Sequence, residues 1–283
     1  MRIVGIGRSP RFSPNSEARD AAILQAVAER LRHEGHQVAT VCEDDALPTA
    51  FDAAFCMARD TATLRRLAQM EAEGLPIINS PLALLTGSRR HLTESFVAEG
   101  LPVVAGVGID AVNARPDQAY WLKRGDACAQ QAADVQFAAT GAEVADRLAH
   151  FKARGIDDVL IFPHVAGDLL KFYGVEGTAF FHHYYPTAGP SFSKFGLESH
   201  NGAPTGYAFD ASRLKAVADE AARLSGLTVY GGDCIIDSDG RAWIIDFNDW
   251  PSFSRCCAEA ARAIAQRIVA ETQSNDWAAI FLL

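Results

Sequence analysis

The stretch Gly231-Gly232-Asp233-Cys234-Ile235-Ile236-Asp237-Ser238-Asp239-Gly240-Arg241-Ala242-Trp243-Ile244-Ile245-Asp246-Phe247-Asn248 decides how this chain is read. Two apolar runs, Val229–Ile236 and Arg241–Phe247, flank Asp237-Ser238-Asp239-Gly240, a composition that suits a turn between paired strands. Side chains alternate along a strand, so Asp246 and Asn248 share a face, and Asp233 can meet them from the preceding strand. Two carboxylates and an amide oxygen match the oxygen preference of magnesium. The same stretch also fits a surface hairpin whose acids face water. Asp237 and Asp239 need no ligand, because short polar side chains are ordinary in turns.

On the N-terminal side, Arg2–Gly7, Gln37–Cys42, Ala53–Ala58 and Pro76–Ile78 read as strands, and Ser16–His33 and Thr61–Glu73 as helices. That alternation predicts an open α/β layer over residues 1–80, followed by a turn at Asn79-Ser80-Pro81. The loop Gly7–Asn15 follows the first strand, at the end where such sheets bind ligands. Residues 81–160 read as a smaller unit: a helix Ser88–Glu99 stopped at Gly100, strands Ala119–Lys123 and Val135–Phe137, a helix Ala142–Arg154, and a strand Asp158–Phe162. Pro163 is expected to interrupt the ladder of that last strand. Residues 161–283 hold paired strands within Leu169–Tyr185, a loop over Ser191–Pro204, a helix Ala211–Leu224, the acidic hairpin and a closing helix Ser254–Glu271. The expected class is α/β with α+β subdomains.

Composition sets the outer bounds. The 283 residues are 49% hydrophobic and 22% charged, ordinary values for a soluble globular protein. No stretch reaches the roughly 20 apolar residues of a membrane span. The first apolar run is broken by Arg8, Pro10 and Arg11, so it reads as a strand rather than a signal peptide and a cytoplasmic location is expected. Cys256 and Cys257 are adjacent and no CxxC occurs, which argues against a structural zinc site. The net charge of −9 disfavours a broad nucleic-acid surface but allows a local basic pocket. Its candidates are Arg8, Arg11, Arg89, Lys123, Arg124, Lys171, Lys194 and Arg255.

From the first α/β layer through Asn248 the chain resembles the ATP-grasp superfamily. Asp233 matches the first metal-site acid of that family, and Asp246-Phe247-Asn248 its acid-any-Asn motif, with Asp where Glu is more frequent. Pro251-Ser252 stands in the usual Pro-Gly place. The resemblance implies ATP and one or two magnesium ions, with Asp233, Asp246 and Asn248 as metal ligands. Lys123 resembles the phosphate-binding lysine of the small subdomain, and Arg89 stands where the family has an earlier lysine. Leu160–Asp168 resembles the adenine-binding linker: backbone groups near Phe162 and His164 would read the adenine edge, and Asp168 the ribose. Pro163 removes one donor there, and Arg124–Ala129 lacks the usual glycine-rich phosphate lid.

The family's commonest reaction turns a carboxylate into an acylphosphate that an amine attacks. This implies a carboxylate–amine ligase acting on a small molecule or peptide. The alternatives are a kinase of an inositol or other polyol phosphate, and a nucleotide-binding protein without turnover. Strand alternation places Lys171 and Tyr173 on the cleft face, and a similar lysine occurs in inositol phosphate kinases. Lys194 resembles a basic loop contact of peptide-forming enzymes; with Lys171 and Arg255 it makes up the expected catalytic set. Arg8, Arg11 and Ser13 of the front loop are the expected substrate contacts. That loop resembles the substrate loop of D-alanine–D-alanine-type ligases, but its acidic contact is missing and Gly231 stands where those enzymes carry an arginine. D-alanine–D-alanine ligation itself is therefore not expected. A homodimer is compatible with the sequence.

Overall fold

Three four-stranded sheets carry the chain, and the computed structural model describes residues 1–109, 112–186 and 197–280. The first sheet is parallel, in the order β2-β1-β3-β4, from β1 (Arg2–Gly7), β2 (Gln37–Cys42), β3 (Ala53–Cys56) and β4 (Ile77–Ile78). Every residue of β1 after Arg2 is buried, as is all of β3, the pattern of a parallel sheet covered on both faces. Helices α1 (Glu17–His33) and α2 (Thr61–Ala72) connect these strands, and the Asp60 carboxylate caps α2 by accepting the Thr63 N–H.

Asn79-Ser80-Pro81 is not a free turn. Ser80 caps a short helix α3 (Pro81–Thr86) by accepting the Ala83 N–H, and Pro81 occupies the first turn, where a missing N–H costs nothing. The Asn79 side chain is fully buried; it donates to Val229 O at 2.8 Å and accepts from Val229 N at 2.6 Å, tying the first layer to the third sheet.

The second sheet is antiparallel, in the order β5-β8-β6-β7, from β5 (Val107–Gly108), β6 (Tyr120–Arg124), β7 (Val135–Ala138) and β8 (Val159–Pro163). Helix α4 (Arg89–Ala98), capped by Ser88, precedes it, and α5 (Val144–Ala153) packs on β6 and β7. The edge strand β5 is too short to leave a periodic signal in sequence. Pro163 does not break the ladder: it is the last residue, opposite Tyr120, and the His164 N–H continues the pairing to Ala119 O at 2.8 Å.

The third sheet is antiparallel, in the order β10-β9-β11-β12, from β9 (Asp168–Val175), β10 (Phe181–Tyr184), β11 (Val229–Ile236) and β12 (Ala242–Asp249). Helix α6 (Ala211–Ser225) ends at Gly226, whose φ of 69° suits a left-handed cap that glycine adopts without strain. Within the expected loop, Leu197–Asn201 forms a 3-10 turn; residues 191–196 lie outside the described residues. Helix α7 (Cys257–Ile280) returns to the first layer, where Ala260, Ile264 and Ile268 share a core with Ile23, Val27 and Leu31 of α1. Among the described residues no helix is long and apolar enough to cross a membrane.

Candidate active site

Residues from the second and third sheets, and from the loops and first helix of the first layer, line one cavity of about 340 Å³. Its charged walls are Arg8, Asp20, Arg59, Arg89, Lys123, Lys171, Glu198, Asp233, Asp246 and Asp249, five cations and five carboxylates. The net charge of −9 therefore lies elsewhere on the molecule.

The acidic hairpin supplies one wall. β11 and β12 pair so that Asp233 faces Asp246 and Gly231 faces Asn248, with a bulge between Asp233 and Cys234. On the other side of β11, Asp233 lies opposite Lys171 of β9, whose Nζ donates to the Asp233 carboxylate at 3.0 and 3.2 Å. Arg89, in the first turn of α4, pairs with Asp246. Asn248 Nδ2 donates to Asp246 Oδ2 at 3.1 Å, while its Oδ1 accepts from Cys128 Sγ at 3.6 Å. The expected metal ligands are thus together. Each carboxylate holds a protein cation, and the amide oxygen is turned towards Cys128.

Lys123 of β6 enters the same cavity from the second sheet, 8% exposed, donating to Ile245 O at 2.8 Å and lying 5.2 Å above the Phe162 ring. Burial lowers its pKa to about 8, against the pull of Asp246. Burial also works against the charge of Lys171, but Asp233 and Glu198 outweigh it and hold that lysine raised. For Asp246, burial is overcome by Arg89 and Lys123, and its carboxyl sits well below the ordinary range. Burial pushes Asp233 up, against the pull of Lys171.

Strand parity sorts the rest. Leu169, Lys171 and Tyr173 of β9 line the cavity, so the residues between them face the other way. Asp168, one residue before Leu169, shares the parity of Leu170 and Phe172 and faces away with them. It is 2% exposed and accepts from the backbone N–H groups of Thr205, Gly206 and Tyr207 at 2.6 to 3.0 Å. Those bonds outweigh its burial and lower its pKa. Asp168 is therefore an anchor for the 205–207 segment and does not line the cavity where the ribose contact was expected; Leu169 holds the cavity position. Phe162 and His164 do line the cavity. The His164 backbone is already committed, however: its N–H donates to Ala119 O and its C=O accepts from Gln118 Nε2 at 3.2 Å. Its imidazole accepts from Trp121 Nε1 at 3.1 Å.

The front loop divides. Arg8 lines the cavity and donates to Met57 O, Asp20 and Asp249, and Ser13 donates to Asp20 at 2.6 Å. Arg11 stays outside: its side chain is 55% exposed and pairs with Asp44 and Asp60, because the Pro10–Phe12 turn points it away from the cavity. Arg255 is not a cavity residue either; it packs 4.3 Å over the ring of Tyr184, which is. Lys194 lies outside the described residues.

Several residues in and around the cavity escaped the sequence. Arg59, in the loop after β3, pairs with Asp249 at the end of β12. Glu43, 4% exposed, accepts the N–H groups of Ser9, Arg59 and Asp60, each at 2.6 Å. Trp121 lines the mouth beside Phe137 and His200, the last two stacked at 4.7 Å. Gly231 also has a reason: a Cβ there would stand 2.7 Å from Pro251 Cγ and 3.0 Å from Tyr173 Cδ1, so no larger side chain fits without displacing the wall.

The fold is the ATP-grasp fold, with the first α/β layer preceding the two antiparallel sheets. The chain is similar to the D-alanine-D-alanine ligase from Coxiella burnetii (10% identity, 100% of this chain and 98% of that one, TM-score 0.67). It is also similar to a RimK domain ATP-grasp protein from Sphaerobacter thermophilus (15%, 95% and 100%, TM-score 0.63). A third similar structure is the ATP-grasp ligase PsnB complexed with its minimal precursor (16%, 95% and 98%, TM-score 0.60). No protein-family model and no curated protein sequence matches the chain.

Proposed function

We propose that this chain is an ATP-dependent, magnesium-dependent ligase that joins a carboxylate to an amine through an acylphosphate. One observation carries the reading: Lys123 and Arg89 meet Asp233, Asp246 and Asn248 in a single cavity. The residues fit the nucleotide and the metal. Lys123 is a buried cation whose side chain donates only to a carbonyl, Ile245 O, among the described residues, and Arg89 Nε is buried without a partner. Both suit a phosphate that would supply the missing acceptors. Asp233 and Asp246 are adjacent across the hairpin and offer hard oxygen ligands, with Asn248 completing the set if its amide turns. Magnesium, when bound, neutralises charge on the transferring phosphoryl group.

The chain's own residues do the rest. Lys123 and Arg89 would hold the phosphates, and Lys171 would balance the charge around Asp233. Val165 lines the cavity and its N–H meets no protein acceptor among the described residues, which suits it, rather than His164, to the adenine edge. Trp121, Phe137 and His200 would exclude water at that end. The similarity to two ligases supports the ligase reading at the level of the fold. The cavity itself adds a charge argument: every cation at the acceptor end is matched by a carboxylate, whereas a polyol carrying several phosphates would ask for a cationic surplus. The close packing at Gly231 argues against D-alanine as both substrates.

The test incubates the protein with ATP, magnesium and a pool of amino acids, peptides and polyol phosphates. Product masses should reveal an amide together with ADP and phosphate. A phosphate ester with ADP alone would replace this reading by the kinase.

A further inference from the structure

We infer that Arg59 reads an anionic group on the second substrate, a carboxylate or phosphate that is held and not activated. The inference rests on the ligase reading of the cavity and names one chemical feature of its acceptor. Arg59 leaves the first layer in the loop after β3, at the carboxyl strand end where open parallel sheets receive ligands. Its side chain is 25% exposed and lines the cavity. Nη2 donates to Asp249, and the guanidinium also hydrogen-bonds the Cys128 side chain. No other protein oxygen accepts from its side chain among the described residues. A guanidinium held through Nη2 keeps donors for a further oxyanion, and its planar fork suits a two-oxygen anion.

Its surroundings hold the fork still. Glu43 accepts the Arg59 backbone N–H, and the Asp249 carboxylate that receives Nη2 is itself steadied by Arg8 Nη2 at 3.3 Å. Arg8 is the poorer reader, because its Nε, Nη1 and Nη2 all donate to protein oxygens and its side chain is only 10% exposed. Arg11 lies outside the cavity. Aromatic residues Phe12, Tyr173, Tyr184 and Trp250 line the same end, so the rest of the acceptor meets an apolar and hydroxyl-bearing wall.

The experiment uses the full chain saturated with magnesium and a nonhydrolysable ATP analogue, titrated with succinate in one arm and inorganic phosphate in the other. Calorimetry should find binding of one anion, weakened on the order of tenfold or more in Arg59→Ala and unchanged in Arg11→Ala. The better-bound probe identifies carboxylate or phosphate. Arg59→Lys keeps the charge without the fork and should show an intermediate loss, which covers the case of Arg59→Ala failing to fold. Binding of neither anion to the wild type, or equal affinity in the Arg59 variants, overturns the inference. Affinity for the ATP analogue is read separately: its absence in the wild type would reject the nucleotide reading, and it should stay within about twofold across these variants.

Discussion

The two ends of the cavity are built in different ways. At the hairpin end, Lys123, Lys171, Asp233, Asp246 and Asn248 all stand on strands, and their directions follow from parity. At the front end, Arg8, Ser13 and Arg59 stand on loops, held by hydrogen bonds between residues far apart in sequence, with Glu43, outside the cavity lining, accepting loop N–H groups. Strand residues are fixed by the backbone beneath them and tolerate changes in their neighbours. Loop residues are fixed by one another, so removal of one charge releases several partners. The hairpin end should thus lose chemistry when mutated, and the front end should lose recognition.

The largest effect is expected at Asp246. Asp246→Asn preserves the size and an acceptor for Arg89 but removes the charge, and turnover should fall on the order of 10²-fold or more. A melting curve within a few degrees of wild type, together with undiminished turnover, would break the contrast between the two ends.

Lys123→Met should weaken binding of an ATP analogue by about 10- to 100-fold, the loss of a charge-assisted contact. The depressed pKa adds a second readout. Lys123 loses its proton as pH rises through about 8, so nucleotide affinity should decline above that value. Lys123→Met should abolish this decline. The sign for stability is opposite: burying the charged amine costs the folded state below pH 8, and this cost fades as pH approaches the ordinary lysine value of 10.5.

Asn248→Ala removes a neutral group and should shift the magnesium requirement upward, on the order of severalfold, with ATP affinity kept. A magnesium titration of turnover checks this, and an unshifted curve in a folded mutant would remove Asn248 from the metal set. The smallest functional effect belongs to Asp168. Asp168→Asn should lower stability by about 1–3 kcal/mol through its three backbone partners, yet leave nucleotide affinity within about twofold. The stability it contributes is present above the unfolded carboxyl value of 3.8 and fades as pH falls through the lowered folded one.

Asp168 also shows where the sequence was legible and where it misled. Alternation correctly put Lys171 and Tyr173 in the cavity and Leu170 and Phe172 behind. The same parity places Asp168 behind, against its resemblance to a ribose-binding acid. Most long elements could be read within a residue or two, because their apolar periods and caps are local. The helix α3 was lost because Pro81 reads as a breaker when its place in the first turn is unknown. Arg59 could not have been preferred to Arg11 by any local signal. Both are arginines in polar loops, and only Asp249, 190 residues further on, distinguishes them.

Glu43 deserves to be seen as a surveyor would see it. One carboxylate receives amides from two separate loops, at Ser9 on one side and at Arg59 and Asp60 on the other, all at 2.6 Å. The two loops therefore share one carboxylate, in addition to the bonds that run directly between them from Arg8 to Met57 O and from Arg11 to Asp60. Glu43 at the loop roots and Asp249, which accepts from both guanidinium groups, together set the spacing between Arg8 and Arg59. Lengthening or resequencing either loop tip would leave that spacing standing, provided the amides at its root still reach Glu43.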